Sequence, residues 1–322
     1  MKKIINFLKN WTLPVAISTG IAVYFVFASI EALDGVASVA ASLFDTILPW
    51  LLCTVLFVTF CRINFTQLRL TRWHLWVSLT QLMLVLAAVG SIVGFHLAGG
   101  TRIIMECVLT CVIAPCATAS PVVTAKLDGD IEAMTSYSFV SNLLTALMIS
   151  LLFPLVETRI QIDFLTSFFM ILRRVCMILV APMALAFAVR HYAPKLQRAI
   201  TSIPDLAFYL WGISLSIVSG ITFRNLMHAS ASLTLLSTIA LATLGVCFAM
   251  FAIGQRVGLK FNAKIESGQG MGQKNTAFAI WVAGAYLTPV ASVGPGCYIL
   301  WQNIVNSLEL WQHRKHSPNI NS

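Results

Sequence analysis

Charged side chains are scarce in this sequence: Asp, Glu, Lys and Arg make up only 10% of its 322 residues. An ordinary soluble domain carries roughly 25% charged residues. Apolar residues make up 58% of the chain, and a soluble fold with so few charges could not cover its surface. The composition therefore excludes an ordinary soluble domain and predicts an integral membrane protein that a lipid bilayer solvates.

The sequence also lacks the side-chain clusters that typify metal sites and catalytic centres. Its eight cysteines include no Cys-x-x-Cys pair, and its six histidines form no His-Glu-x-x-His motif. Asp128, Asp130 and Glu132 lie close together, but on a short joint between two apolar runs, which is typical of a solvated turn. These absences predict that the protein is not an enzyme and needs no cofactor.

Ten apolar segments are candidates for membrane-spanning helices, each of which needs about 20 residues. They are residues 12–33, 42–61, 73–98, 103–126, 131–155, 173–193, 204–222, 231–254, 268–288 and 291–311. The first follows Lys2, Lys3 and Lys9, as the apolar part of a signal peptide would, but no small-residue cleavage site clearly ends it. We read it as a retained helix and predict an all-α membrane protein with ten transmembrane helices.

The net charge of +9 is explained by where the Lys and Arg residues fall along the chain. With the N-terminus placed in the cytoplasm, 15 of the 21 basic residues lie in cytoplasmic segments and five in outer segments; the last, Lys274, lies within the ninth span. This bias follows the positive-inside rule. It predicts a multi-pass protein of the inner (plasma) membrane with both termini cytoplasmic, and it gives no reason to expect a nucleic acid or an obligatory protein partner.

The two halves of the chain share features at matching positions. Spans one and six each contain a proline, Pro14 and Pro182, and spans four and nine are both interrupted by Gly, Pro or polar residues. Five spans per half is an odd number, so the second half must cross the membrane in the opposite direction. The sequence therefore predicts a 5+5 inverted repeat, an architecture typical of secondary transporters.

Span four is interrupted by Pro115 and Pro121. Each proline removes a backbone donor and clashes with the preceding turn, so the helix should unwind between them. The freed carbonyl groups need partners within the bilayer; the hydroxyls of Thr118 and Ser120, a bound ion or a substrate are candidates. The alternative is a kinked structural helix whose carbonyl groups are satisfied by neighbouring helices.

Span nine begins with Gly268, Gly270 and Gly272, which make a poor helix. Lys274 follows, and because a lysine at the centre of a membrane helix costs about 2.5–3.5 kcal/mol, it must face a cavity or a partner. In one interpretation Lys274 is a cation held at the transport site. In the other, a shorter span starts at Thr276 and the lysine side chain reaches the cytoplasmic face.

Discontinuous helices four and nine can cross in the middle of the bilayer. The N-termini of their half-helices would then point at the crossing and favour an anion, and loose carbonyl groups would favour a cation. Together with Lys274, this arrangement favours a small organic anion with a carboxylate group as the substrate.

The interrupted segments resemble those of the bile acid:sodium symporter family. Residues 114–124, Ala-Pro-Cys-Ala-Thr-Ala-Ser-Pro-Val-Val-Thr, are similar to that family's Gly-Thr-Ala-Ser-Asn segment, and residues 273–279, Gln-Lys-Asn-Thr-Ala-Phe-Ala, to its Met-Gln-Asn-x-x-Leu-Ala segment. The resemblance covers nearly the whole chain and implies a single transporter unit, residues 1–322, that moves an organic anion with sodium by alternating access. Two domains are implied, a panel domain at approximately 12–61 and 173–222 and a core domain at approximately 73–155 and 231–311.

The resemblance also implies candidate substrate- and ion-binding residues on the core helices. They are Gln81, Thr118, Ser120, Thr135, Ser138, Glu266, Gln273, Lys274, Asn275 and Thr276. Of these, Gln81, Ser120 and Ser138 fall where the family binds sodium. Four positions depart from the family pattern. Pro121 replaces an asparagine, Met134 replaces a serine, Gly270 replaces a glutamate and Lys274 replaces a glutamine.

These departures leave the coupling ion open. An added ammonium and a lost carboxylate disfavour sodium, so Lys274 would stand in for that ion, and burial would favour its neutral form and allow proton coupling. In the rival interpretation, Glu266 restores a sodium site. The other transport class is a sodium-independent, proton-coupled exporter or antiporter of similar fold. The sequence shows neither the catalytic cluster expected of a membrane enzyme nor the effector domain expected of a signalling receptor, so both of those classes are disfavoured. The resemblance suggests bile-acid-like steroids, pantothenate precursors and 2-oxo acids as substrates.

Overall fold

The computed structural model describes residues 12–30, 34–63, 68–117, 119–156, 164–203, 206–228 and 231–316. These residues form α-helices joined by short segments. The helices are α1 (Thr12–Ser29), α2 (Asp34–Cys61), α3 (Arg72–Gly94), α4 (Gly99–Ile113), α5 (Ser120–Lys126), α6 (Ile131–Val156), α7 (Phe164–Leu179), α8 (Ala181–Tyr192), α9 (Pro194–Ser202), α10 (Leu206–His228), α11 (Leu233–Leu259), α12 (Lys264–Gly272), α13 (Thr276–Tyr286) and α14 (Val293–His316), with a 3-10 turn at Pro289–Ser292. The described part of the chain thus has the all-α class that the sequence predicts.

Several of these helices are long and apolar enough to cross a membrane. By length and composition, four of the described helices qualify, namely Ser42–Cys61 within α2, and α3, α6 and α11. The pair Phe168–Leu179 and Ala181–Tyr192, bent by 42°, is a fifth if it forms one span. Shorter apolar helices are Val15–Ser29, Tyr209–Ile221 and Thr276–Tyr286. The chain is therefore a multi-pass membrane protein, whereas the count of ten spans stays a prediction.

The exposed face of α6 is suited to contact with lipid. Leu143, Leu147, Leu151 and Leu155 recur every four residues along this helix and are 41–50% exposed. Polar side chains of the same helix, such as Ser141, are buried instead. An apolar exterior with polar groups turned inward is the arrangement that a helix needs in a bilayer.

Contacts within the chain divide it into two compact units. The first comprises Met1–Arg62 and Met177–Ala231, and the second comprises Ile63–Cys176 and Ser232–Ser322. The assignment of panel and core roles, which the resemblance implies for similar ranges, stays a prediction.

In the first unit, α1 packs against α10 through small residues. Gly20 lies so close to α10 that a Cβ on it would overlap the carbonyl oxygen of Ser216 and come within 2.9 Å of the backbone nitrogen of Gly220. One turn further along, the rings of Tyr24 and Phe223 meet with their centroids 5.4 Å apart. Such a close approach of two backbones is typical of helix pairs in membranes.

The second unit contains the same order of helices twice. A long helix, a pair of short helices separated by a break, and another long helix follow one another as α3, α4/α5 and α6, and again as α11, α12/α13 and α14. The two breaks therefore occupy equivalent places in the two halves, at the spans that the sequence predicts to be interrupted.

The position of the first break follows from the two prolines. Helix α4 ends at Ile113, just before Pro115, and α5 starts at Ser120. Pro121 falls within the first two positions of α5, where a missing N–H costs no hydrogen bond. The second break is shorter and consists of residues 273–275.

The prediction that Gly268, Gly270 and Gly272 make a poor helix was wrong, because α12 runs through all three. Glycine gives room here to side chains of other helices. A Cβ at Gly270 would lie 2.8 Å from the ring of Tyr137, and one at Gly272 would overlap the ring of Phe251. Packing against these large side chains offsets the low helix propensity of glycine.

Candidate functional site

The two breaks meet in an isolated antiparallel bridge between Cys116 and Lys274. The N–H of Ala117 donates to the carbonyl oxygen of Gln273, and the N–H of Asn275 donates to that of Pro115, each over 2.9 Å. Backbone groups that the interrupted helices leave free are thereby paired with each other, as a buried segment requires. We refer to this pairing as the Cys116–Lys274 bridge.

Two side-chain oxygens support the bridge from equivalent helices. The N–H of Cys116 donates to Ser141 Oγ on α6 over 2.8 Å. The N–H of Lys274 donates to Gln302 Oε1 on α14 over 2.9 Å. Because α6 and α14 each follow a broken pair, the repeat in helix order extends to the hydrogen bonds that hold the two breaks.

Gln81 on α3 closes the end of α4. Its Nε2 donates to the carbonyl oxygens of Val112 and Ala114 over 2.9 and 3.2 Å. Its Oε1 accepts a hydrogen bond from the hydroxyl of Tyr137 over 3.4 Å. Both ends of this buried amide are therefore engaged by protein groups, and carbonyl groups at the end of α4 gain a partner.

The side chain of Lys274 is buried, with 1% of its surface exposed. Its Nζ has no hydrogen-bond partner among the described residues. In the described part of the chain it also forms no salt bridge with a carboxylate. A buried ammonium without a counter-charge is costly, so the site calls for a ligand with hydrogen-bond acceptors and a negative charge. This burial disfavours the interpretation in which the lysine side chain reaches the cytoplasmic face.

Ser120 and Ser138 contact the bridge through the thiol of Cys116. The thiol donates to Ser120 Oγ over 3.1 Å. Ser138 Oγ lies 4.0 Å from the same sulfur and donates to the carbonyl oxygen of Met134 over 3.2 Å. Thr135 is buried nearly one turn earlier on α6, but in the described part of the chain it forms no hydrogen bond to the bridge.

Gln273, Asn275 and Thr276 lie where the second break leads into α13. The Oε1 atom of Gln273 is buried and has no hydrogen-bond partner among the residues that the structure describes. Asn275 is the N-cap of α13, where its Oδ1 accepts a hydrogen bond from the N–H of Phe278 over 3.2 Å. Thr276 is buried in the first turn. The candidate residue Thr118 lies outside the described residues.

Glu266 lies on the first turn of α12, eight residues before Lys274. Its Oε1 accepts a hydrogen bond of 2.5 Å from the N–H of Asp130, just before the start of α6. It also lines a cavity of about 320 Å³, together with Thr71 and Arg72. A negative charge is favourable beside the N-terminus of a helix, so these contacts give Glu266 a structural role at α6.

The residues at the places where the resemblance implies sodium do not suit that ion. The ring of Tyr137 fills the space beside Gly270, where the family has a carboxylate. Gln81 is engaged by protein groups, and Glu266 is held at the start of α6. A hard cation needs several oxygen ligands, preferably with a carboxylate among them, and the ammonium of Lys274 would repel it.

Two supporting residues on α14, Tyr298 and Gln302, were not predicted from the sequence. Tyr298 donates from its hydroxyl to the carbonyl oxygen of Gly272 over 2.8 Å and so closes the end of α12. A signal was present for Gln302, because Gln302, Asn306 and Glu309 recur four and three residues apart in the last predicted span, which places them on one helix face. Polar residues within a predicted span are candidates for function by default.

The apolar helices, the paired breaks and the buried lysine are features of a membrane transport protein. The chain belongs to the sodium bile acid symporter family, whose model matches residues 49–229, more than half of the sequence. The family that the resemblance indicated is thereby confirmed. The match includes the first break but ends before α11, so Lys274 lies beyond it. None of the curated proteins matches the chain.

Proposed function

We propose that the protein is a secondary active transporter that moves an organic carboxylate across the inner (plasma) membrane by alternating access. Family membership supports ion-coupled transport. The proposal includes ten spans in a 5+5 inverted repeat, both termini in the cytoplasm, and a crossing of the two broken helices in the middle of the bilayer. The Cys116–Lys274 bridge supports the crossing, because it joins the two breaks directly.

The observation that carries the proposal is the buried Nζ of Lys274, which lacks a partner in the described structure. A substrate carboxylate would supply both the negative charge and the acceptors that this ammonium needs. Helix α13 starts at Thr276, two residues after Lys274, so the positive end of its dipole lies close to the Cys116–Lys274 bridge. An ammonium and a helix N-terminus together favour an anion at the bridge.

We further propose that Lys274 takes the place of a sodium ion at the crossing. Gly270, which packs against Tyr137, supplies no carboxylate there. Coupling would then use protons, or sodium bound elsewhere in the chain.

A proton-coupled exporter or antiporter that does not use sodium is the second candidate. The same two residues, Gly270 and Lys274, favour it, because they replace the groups that a sodium site at the crossing would need. Symport and antiport are distinguished by the direction in which an imposed proton gradient drives the substrate.

The proposal is tested with the full-length protein in liposomes that carry an inward gradient of sodium, of protons or of neither. Uptake is measured for a bile acid, a pantothenate precursor and a 2-oxo acid. We expect at least one carboxylate to be transported in sodium-free buffer. Lys274→Gln should lower the uptake of that carboxylate by about 30-fold or more, because the variant loses the buried charge pair between substrate and lysine, and such a pair contributes about 2–5 kcal/mol.

Lys260→Gln is the matched control, because Lys260 is exposed at the end of α11. Carboxylate uptake by this variant should equal uptake by wild type. Two results would contradict the proposal. One is the absence of carboxylate transport under every gradient, and the other is unchanged uptake in Lys274→Gln.

A further inference from the structure

A second polar cluster joins α11, α12 and α14 through side chains that do not take part in the bridge. Gln255 donates from Nε2 to Glu309 Oε1, and Gln269 donates from Nε2 to Glu309 Oε2, each over 2.6 Å. The same nitrogen of Gln269 donates to Asn306 Oδ1 over 3.1 Å. We call these four residues the Glu309 cluster.

The Glu309 cluster holds a carboxylate without an ion-pair partner. Within the described residues, Glu309 forms no salt bridge, and its carboxylate oxygens are instead contacted by two neutral amides. Lys264 is close enough to act on it electrostatically, but its side chain is exposed on the first turn of α12. Gln269 and Asn306 are only 1% and 6% exposed, so water solvates the Glu309 carboxylate poorly on the side where these two residues lie.

One amide oxygen in the cluster lacks a hydrogen-bond partner among the described residues. Gln269 Oε1 is buried and has no hydrogen-bond partner in the part of the chain that the structure describes. The oxygen and nitrogen of an amide exchange places when the terminal bond of the side chain rotates. After such a rotation, Gln269 would present its oxygen to the oxygens of Glu309 and Asn306. That arrangement is repulsive by itself and becomes favourable when a cation lies between the oxygens.

A glycine opposite the cluster makes room for Gln255. A Cβ at Gly268 would lie 2.7 Å from Gln255 Cγ. The absence of a side chain at this position therefore allows the amide from α11 to reach past α12 to Glu309. The position of Gln255 is thus fixed by packing as well as by its hydrogen bond.

We propose that the Glu309 cluster binds an alkali-metal cation through the carboxylate of Glu309 and the amide oxygens of Gln255, Gln269 and Asn306. Carboxylate and amide oxygens are the ligands of hard cations. A single carboxylate balances a single positive charge, which fits a monovalent ion better than Ca²⁺ or Mg²⁺. The rotation of Gln255 and Gln269 would convert a hydrogen-bonded cluster into a set of oxygen ligands.

The role of this cation site in transport rests on the proposed function, because in a transporter the bound cation would be the coupling ion. It would also separate the cation from Lys274, whose charge opposes a cation at the bridge. Binding of the cation is measured without transport, so the two proposals succeed or fail separately.

The test uses thermal unfolding of the purified full-length protein in detergent. Choline chloride is replaced by sodium, lithium or potassium chloride at constant ionic strength. We expect at least one of these three cations to raise the Tm of wild type by about 2–4 °C relative to choline, because a ligand that binds only the folded state stabilises it by mass action.

Glu309→Gln should abolish this rise while leaving the Tm in choline equal to or above that of wild type, because the uncompensated charge is removed. Asn306→Ala should reduce the rise. Asn303→Ala is its matched control on the same helix and should keep the full rise, because among the described residues the side chain of Asn303 donates to the carbonyl oxygen of Ile299 alone. Gln255→Leu replaces Glu309→Gln if that variant does not fold.

Equal Tm values of wild type in all four salts would overturn the proposal. So would a cation-dependent rise that persists in both Glu309→Gln and Gln255→Leu. A rise that depends on Glu309 in a protein that moves no carboxylate would leave the cation site standing and refute the proposed function alone.

Discussion

Glu106 on α4 is a buried charge of a different kind from Lys274, because its partners all belong to the protein. Its carboxylate accepts hydrogen bonds from Arg102 Nε over 2.8 Å and from the N–H of Thr288 over 3.1 Å. The guanidinium of Arg102 in turn donates to the carbonyl oxygen of Val156 at the end of α6 over 2.6 Å. A charge satisfied in this way holds helices together, whereas the ammonium of Lys274 remains available to a ligand.

Replacing Glu106 by glutamine is expected to lower the free energy of unfolding by about 1–3 kcal/mol. The loss is smaller than the about 3–5 kcal/mol of a fully buried pair, because the Arg102 side chain is 23% exposed. Denaturation of the purified protein in detergent measures it. Glu132→Gln, which breaks an exposed pair with Arg69, should cost less than about 1 kcal/mol. Equal losses in the two variants would show that burial of Glu106 does not matter.

At the scale of the elements, α13 is a short helix whose first turn lies in the protein interior. Its N–H groups at that end have no water to bind, so the side chain of Asn275 provides the cap. The helix therefore depends on the same three-residue break that places Lys274 at the bridge.

The variant Asn275→Ala should lower the free energy of unfolding by about 1 kcal/mol, the usual cost of a lost N-cap. Asn275→Asp retains the acceptor for the N–H of Phe278 and should recover much of this loss. Thermal unfolding of the three proteins gives the comparison. The same stability in the alanine and aspartate variants would mean that the cap does not hold α13.

Features with a local cause were predictable from the sequence, and features with a distant cause were not. Pro115 and Pro121 interrupt the helix by their own covalent structure, so the first break could be predicted. The helical state of residues 268–272 could not, because it depends on Tyr137 and Phe251, which come from other helices.

The same distinction applies to the candidate site. Lys274 is conspicuous in an apolar segment, and the structure indeed buries it. The groups that hold its backbone could not be chosen in advance, because Gln302 is only one of several polar residues on α14. Glu309 is equally conspicuous in the sequence. Its contacts with Gln255 and Gln269 could not be predicted, because they depend on the packing of three helices.

At the scale of the whole molecule, the proposed orientation in the membrane can be tested by chemical labelling. Phe95, at the end of α3, and Lys260, at the end of α11, are both exposed and are predicted to lie on opposite sides of the bilayer. A membrane-impermeant thiol reagent should label Phe95→Cys in intact cells and Lys260→Cys only after permeabilisation. The native cysteines are buried or half-buried, which limits the background. The reverse pattern would place the termini outside the cell.

The close approach of Gly20 to α10 has a consequence for how the protein is made. Roughly 180 residues separate the end of α1 from the start of α10, and a ribosome needs about 10–40 s to add them at about 5–20 residues per second. Helix α1 leaves the ribosome before α10 and must therefore wait in the bilayer for its partner. During that interval its glycine surface is open to other helices, so correct assembly depends on the insertion machinery keeping such helices away until α10 arrives.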